Sequence, residues 1–167
     1  ASQLPDVSKN RVDGYLKGLE DGGVKYEVVA NQDAWLQDTA LEAASSIITA
    51  NADLDAMIAV NDGGTIGTVT AVQNAGKSGE IMVFGHDGSD QISSMILDEN
   101  SPLQSIVAQD PYGMGYEAMS ALIKAIQGED YSATQGKCEY MEGIILSKRD
   151  TEAVNSWRVD NGFEAID

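Results

Sequence analysis

Cysteine and histidine each occur once in this 167-residue chain, as Cys138 and His86. One thiol cannot close an internal disulfide or anchor a thiolate metal cluster, and one imidazole excludes a paired-histidine zinc site. Any Ser/His/Asp or Cys/His nucleophile would have to be built on His86 alone. Basic residues are also scarce: 10 Lys and Arg stand against 27 Asp and Glu, a formal net charge of −17. Affinity for phosphate backbones comes mostly from Lys and Arg, so a nucleic-acid partner is excluded, and an anionic membrane surface is disfavoured for the same reason. The acidity reads as a solvated surface that keeps a secreted or surface protein soluble. No apolar run reaches the roughly 18 residues of a membrane span, and no charged-then-apolar start resembles a signal peptide. The opening residues ASQLP read as the interior of a larger protein.

What is present is ordinary for a folded domain: 43% hydrophobic residues, 22% charged residues and 17 glycines. An α/β domain of this size buries roughly 70% of the surface its unfolded chain exposes. The apolar residues fall in two alternating periods. Val7, Val12, Tyr15, Leu16 and Leu19 recur at helical spacing and stop at Gly22-Gly23, which predicts a helix over 7–20. The β-branched VKYEVVA (24–30) predicts a strand, and 33–50 a second helix with Leu36, Ala40, Leu41, Ala44, Ile47 and Ile48 on one face. Strands follow at 56–60 (AMIAV), 80–84 (EIMVF) and 103–108 (LQSIVA), with helices at 64–75, 91–98 and 112–127. After Gly128 the pattern loosens to one or two strands within 136–146 and a short helix at 151–157. Short apolar strands alternating with amphipathic helices predict an α/β fold, a doubly wound parallel sheet with helices on both faces. No linker or repeat divides the chain, which predicts one domain over 1–167.

Two motif-like stretches fail on spacing. Asn51, Asp53 and Asp55 open like a calcium loop, but Ala56 replaces the required glycine and the closing glutamate is missing. Gly63-Gly64-Thr65-Ile66-Gly67 lacks the full GxGxxG spacing of a dinucleotide loop. The polar residues at strand ends carry more. Ligands of parallel α/β sheets bind outside the carboxyl ends of the strands, and those ends hold Asn61-Asp62, His86-Asp87 and Gln109-Asp110, with Trp35 shortly after VKYEVVA. Carboxylate and carboxamide groups bond hydroxyls in both directions, and an indole face stacks on a sugar ring. No nucleophile–base pair accompanies them, so the set suits a neutral polyhydroxylated ligand with no enzyme chemistry, cofactor or metal.

With these residues the sequence resembles the type I periplasmic sugar-binding proteins, from Val7 to about Ser147. AMIAVNDGGTIGTVTAVQNAGK resembles the family's strand, Asn-Asp and small-residue helix, which implies Asn61 as a ligand residue. FGHDG resembles the family's GFDG turn, implying Asp87, with His86 in a place usually apolar or aromatic. SIVAQDPYGMGYEA resembles the hinge-crossing stretch, implying Gln109. Asp33-Ala34-Trp35 resembles the aromatic stacking position. VSKNRVDGYLKGL resembles the helix whose arginine reaches the sugar, a place that Lys9 or Arg11 could hold; Lys9 there would lose a bidentate donor.

The resemblance implies the carboxyl-terminal half of a two-lobed protein that captures a monosaccharide or similar polyol by hinge closure and delivers it to an ABC transporter permease. It implies a location in the periplasm or, as a lipoprotein, on the outer face of the membrane. Nothing in the chain corresponds to the family's amino-terminal lobe, so the chain reads as a fragment that binds sugar weakly or not at all alone. Residues 110–130 would pack on the missing lobe; without it, the Tyr112–Gln127 face would be free to pair in a homodimer or swapped arrangement. The competing reading is the effector core of a LacI-type regulator, which shares the fold. Those proteins usually carry a proline-aspartate segment where Lys77-Ser78-Gly79-Glu80 stands here. An α/β transferase would need a phosphate loop that the sequence lacks.

Overall fold

The computed structural model describes residues 5–129, 136 and 141–166. Its elements run α1 (Pro5–Asp21), α2 (Gln37–Ala50), β1 (Ala56–Ile58), α3 (Asp62–Asn74), β2 (Met82–His86), α4 (Asp90–Leu97), β3 (Leu103–Ala108), α5 (Pro111–Gln127), β4 (Ile144–Ser147) and α6 (Thr151–Asp160). The strands lie in the order β1-β2-β3-β4, with β1 parallel to β2 and β2 parallel to β3. The alternating α/β pattern and parallel sheet are as the sequence predicts.

The chain divides into two compact units, Ala1–Val107 with Ile145–Asp167, and Ala108–Ile144. In the first, Val69, Val72, Val83, Ile92, Ile96, Leu103 and Val154 are completely buried. In the second, α5 has no buried residue, although Met119, Leu122, Ile123 and Ile126 make it apolar. An apolar helix without a core of its own is why this stretch separates.

Short polar residues after strands start the helices. Asn61 Oδ1 accepts the Gly64 N–H at 3.1 Å and caps α3, Ser89 caps α4 through the Ile92 N–H, and Asp110 Oδ1 accepts the Gly113 N–H at 2.9 Å to cap α5. Gly128 closes α5 in the left-handed region at φ 72°. These caps hold polar side chains at the carboxyl ends of the strands.

The glycines that resemble a broken dinucleotide loop have a packing role. A Cβ on Gly67 would stand 2.5 Å from the Gln37 carbonyl oxygen and 2.8 Å from the Leu41 nitrogen, so α2 crosses α3 backbone to backbone. Alanine would gain helix propensity of about 1 kcal/mol, but its methyl group meets backbone that must move. Gly67→Ala is therefore expected to destabilise the chain by about 1–3 kcal/mol, read as a lowered urea midpoint with an unchanged slope.

Arg158, 3% exposed, ties α6 to α4. Its guanidinium donates to Asp90 Oδ1 at 2.7 Å, the Asp90 carbonyl at 2.9 Å, Ser93 Oγ at 2.6 Å and the Glu164 carbonyl at 2.8 Å.

Three expectations are corrected. Residues 24–30 form no strand: they make no backbone ladder, and Val24 to Val29 are exposed. A strand exists only with a partner row of amides and carbonyls, and β-branched composition cannot provide one. The second helix begins at Gln37, not Asp33, and Leu36 at its start offers no side-chain cap. Of the strands expected within 136–146, the structure has β4, shifted to 144–147; residues 137–140 lie outside those described.

Candidate functional site

Three strand-end residues and one from α1 meet in the first unit. Arg11 Nη1 donates to the Val60 carbonyl at 2.6 Å, just past β1, and its Nη2 stands 3.6 Å from Asp87 Oδ1. Asp87 Oδ2 accepts the Asp62 N–H at 3.1 Å, so the carboxylate sits between a guanidinium and the amino terminus of α3. Asp87 adopts φ 66°, a left-handed conformation that aspartate tolerates better than most residues. The turn after β2 thereby aims its carboxylate back across the strand ends.

Asn61, 7% exposed, spends its side chain on two backbones: Oδ1 caps α3, and Nδ2 donates to the Trp35 carbonyl at 2.9 Å. That bond fixes the approach to α2 beside the strand ends. Gly63 permits it, because a Cβ there would stand 2.9 Å from the same Trp35 oxygen. Trp35 itself is half-buried. Thr65, fully buried, donates from Oγ1 to the Asn61 carbonyl at 2.8 Å and accepts the His86 N–H at 3.1 Å, joining the two turns.

The Lys9 and Arg11 alternatives separate. Arg11 is at the strand ends, whereas Lys9 is solvent-exposed and paired with Asp13. Gln109 belongs to the second unit, one residue before the Asp110 cap of α5.

This arrangement can bind oxygens of both polarities. Asp87 offers acceptor oxygens and Arg11 offers donors, and Trp35 is held beside them through its backbone carbonyl. Among the described residues no group of three His, Cys, Asp or Glu is placed to hold a metal ion. No described helix is long and apolar enough to cross a membrane.

The family model described as periplasmic binding protein domain matches residues 2–130. The chain belongs to the periplasmic binding protein family. It is 30% identical over 121 residues to the ABC transporter periplasmic-binding protein YphF of Escherichia coli, covering 72% of this chain and 37% of that protein. It is 32% identical over 128 residues to the ribose import binding protein RbsB of Salmonella typhimurium, covering 76% of this chain and 42% of that protein. A solved ABC transporter solute-binding protein from Actinobacillus succinogenes, with bound D-allose, superposes with a TM-score of 0.75 at 28% identity, over 87% of this chain and 50% of that one. This periplasmic binding protein chain thus spans half or less of the length of these relatives.

One site neighbour escaped the sequence reading. Tyr15, one turn after Arg11, donates its hydroxyl to the Gly85 carbonyl, and its ring stands edge-on to His86 at 6.4 Å. Burial raises the Tyr15 pKa to about 12, with Arg11 opposing. The i, i+4 spacing of Arg11 and Tyr15 was the available signal, obscured because Tyr15 also fits the apolar stripe. His86 ends β2, at the strand end where the sequence places it beside Asp87. Its Nδ1 is buried with no hydrogen-bond partner.

Burial, and then the Arg11 charge, depress the His86 pKa from 6.5 to about 4, with Asp87 opposing. A depressed histidine makes the unfolded chain bind more protons between those values, so its contribution is present above pH 6.5 and is lost as pH falls toward 4. Carboxylates titrate in the same range, so the check is a difference: His86→Phe should flatten the pH dependence of unfolding free energy between pH 6.5 and 4. An unchanged slope would refute the buried neutral imidazole.

Proposed function

We propose that this chain forms one wall of a site for a neutral monosaccharide or related polyol in the two-lobed, substrate-binding component of an ABC-type sugar transporter. The observation that carries the reading is the Arg11–Asp87–Asn61 cluster at the ends of parallel strands, in a chain similar to proteins named for ribose import and allose binding. Arg11, Trp35, Asn61 and Asp87 are the ligand contacts of the first unit. The chain binds and does not catalyse. In the complete protein it works outside the cytoplasm, in the periplasm or as a lipoprotein on the outer face, and passes its sugar to a permease.

Titration calorimetry of the longer protein against D-ribose, D-allose and a panel of other pentoses and hexoses tests this. Binding near 1 µM, about −8 kcal/mol, is expected for at least one sugar. This chain alone, with half the contacts, should bind on the order of 1 mM or weaker. No binding by the longer protein to any sugar of the panel would overturn the reading.

The apolar residues of α5 have their own place in it. Tyr112 is 82% and Ile126 76% exposed, and Tyr112 and Tyr116 stack at 6.5 Å. We assign this helix to packing on the other lobe. In the isolated chain a second copy takes that place, so light scattering should give a dimer mass that reverts to monomer in Ile123→Glu; a monomer at high concentration counts against it.

A further inference from the structure

Helix α1 is fastened to the sheet by two side chains one turn apart. Arg11 Nη1 donates to the Val60 carbonyl at 2.6 Å, just past β1, and the Tyr15 hydroxyl donates to the Gly85 carbonyl in β2. Residues four apart share one face of a helix, and β1 pairs directly with β2, so one face of α1 reaches two neighbouring strands. A single such bond would leave α1 free to roll about its axis. Two bonds, to different strands, fix the roll.

The two fastenings differ in stiffness. Arginine is a long chain of rotatable bonds, and the second contact of Arg11, to Asp87 Oδ1, is 3.6 Å long, beyond hydrogen-bond length. Where its guanidinium stands therefore depends on where α1 stands. Tyrosine is a rigid ring on two torsions, and its acceptor is itself held. Consecutive strand residues point to opposite faces of a sheet. On one face, a Cβ on Gly85 would stand 2.4 Å from Thr65 Cγ2, so α3 lies tight against β2 at this residue. On the other, the His86 ring meets the Tyr15 ring edge-on at 6.4 Å. Thr65 Oγ1 also accepts the His86 N–H at 3.1 Å, which ties the end of β2 to α3.

We propose that Tyr15 is the positioning residue for Arg11: its hydroxyl bond to β2 sets the roll of α1 that places the guanidinium between the Val60 carbonyl and Asp87. Its effect on affinity rests on the reading of Arg11 as a ligand contact. The positioning itself does not, and can be measured without sugar.

The reporter is His86, the one histidine of the chain, whose imidazole proton resonance is unambiguous. Arg11 lowers its pKa and Asp87 raises it, so the midpoint follows the distance of the guanidinium. Titration by proton NMR should give a midpoint near 4 in this chain and a higher one in Arg11→Met, where the lowering charge is gone and Asp87 remains. Tyr15→Phe keeps the ring and removes only the hydroxyl. It should raise the midpoint by about half as much or more, and add nothing further in the Arg11→Met background. A tyrosine that served only as packing would move stability and leave this titration alone. Unchanged methyl resonances of the buried Val83 and Ile92 report that each variant is folded. In the longer protein, Tyr15→Phe should weaken sugar binding about 5-fold, again without adding to Arg11→Met. A His86 midpoint that Tyr15→Phe leaves in place overturns the proposal, as does an equal rise with and without Arg11, or a midpoint that Arg11→Met does not raise. Failure of the longer protein to bind any sugar would overturn the ligand reading instead, and the His86 titration would still decide the role of Tyr15.

Discussion

Arg158→Ala should lower the unfolding free energy by about 3–5 kcal/mol, the range for removing one member of a buried, hydrogen-bonded charge cluster. The guanidinium is the common donor to α4, through Asp90, Ser93 and Ser94, and to the chain after α6, through Glu164. Its plane also stands 5.8 Å from the Phe163 ring. Truncation leaves a void beside Phe163 and strips the Glu164 carbonyl of its donor. The Asp90 side chain is 63% exposed and can turn to water, which places the effect toward the lower end of the range. Urea unfolding followed by circular dichroism checks it, and Arg158→Lys should recover only part of the loss, because an ammonium cannot span the same fork of acceptors. A loss below about 1 kcal/mol would mean that water replaces the network. The consequence reaches the site, because α4 begins at Asp90, three residues after Asp87.

The sequence makes the strand–helix alternation and the polar strand ends legible because both depend on local pattern. LQSIVA is bounded as a strand residue for residue, and Asn61, Ser89, Asp110 and Asp150 each cap the helix that follows. What local pattern cannot supply is a partner. VKYEVVA has the composition of a strand, but pairing is a property of two segments, and among the described residues none pairs with it. The same limit hid Arg158: a lone arginine in a short terminal helix shows no sign that its acceptors lie more than sixty residues upstream. Asn61 was read as offering its amide to a ligand, whereas both ends of that amide hold backbone. What the structure shows for it is the positioning of Trp35 and α3. The Lys9 or Arg11 ambiguity was likewise beyond spacing, since only the orientation of α1 decides which residue faces Val60 and Asp87.

Asp87→Ala in the longer protein should weaken sugar binding by about 100-fold, near 2.7 kcal/mol, the scale of a lost charge-assisted hydrogen bond with its partner left unpaired. The carboxylate is the only one among the described residues held by both Arg11 and the start of α3. Alanine at φ 66° adds backbone strain that aspartate bears more easily, so the binding effect must be separated from a folding effect. Asp87→Gly removes the same carboxylate without that strain and should lose comparable affinity while keeping more stability. Asp87→Asn keeps an acceptor for the Asp62 amide and the left-handed preference, and should lose about 10-fold, the share that belongs to the charge facing Arg11. Calorimetry with D-allose or D-ribose, alongside urea midpoints for all three variants, decides the matter. Variants that bind within about twofold of the parent while losing stability would make Asp87 a brace for the turn after β2 and return the ligand contact to Arg11 and Trp35.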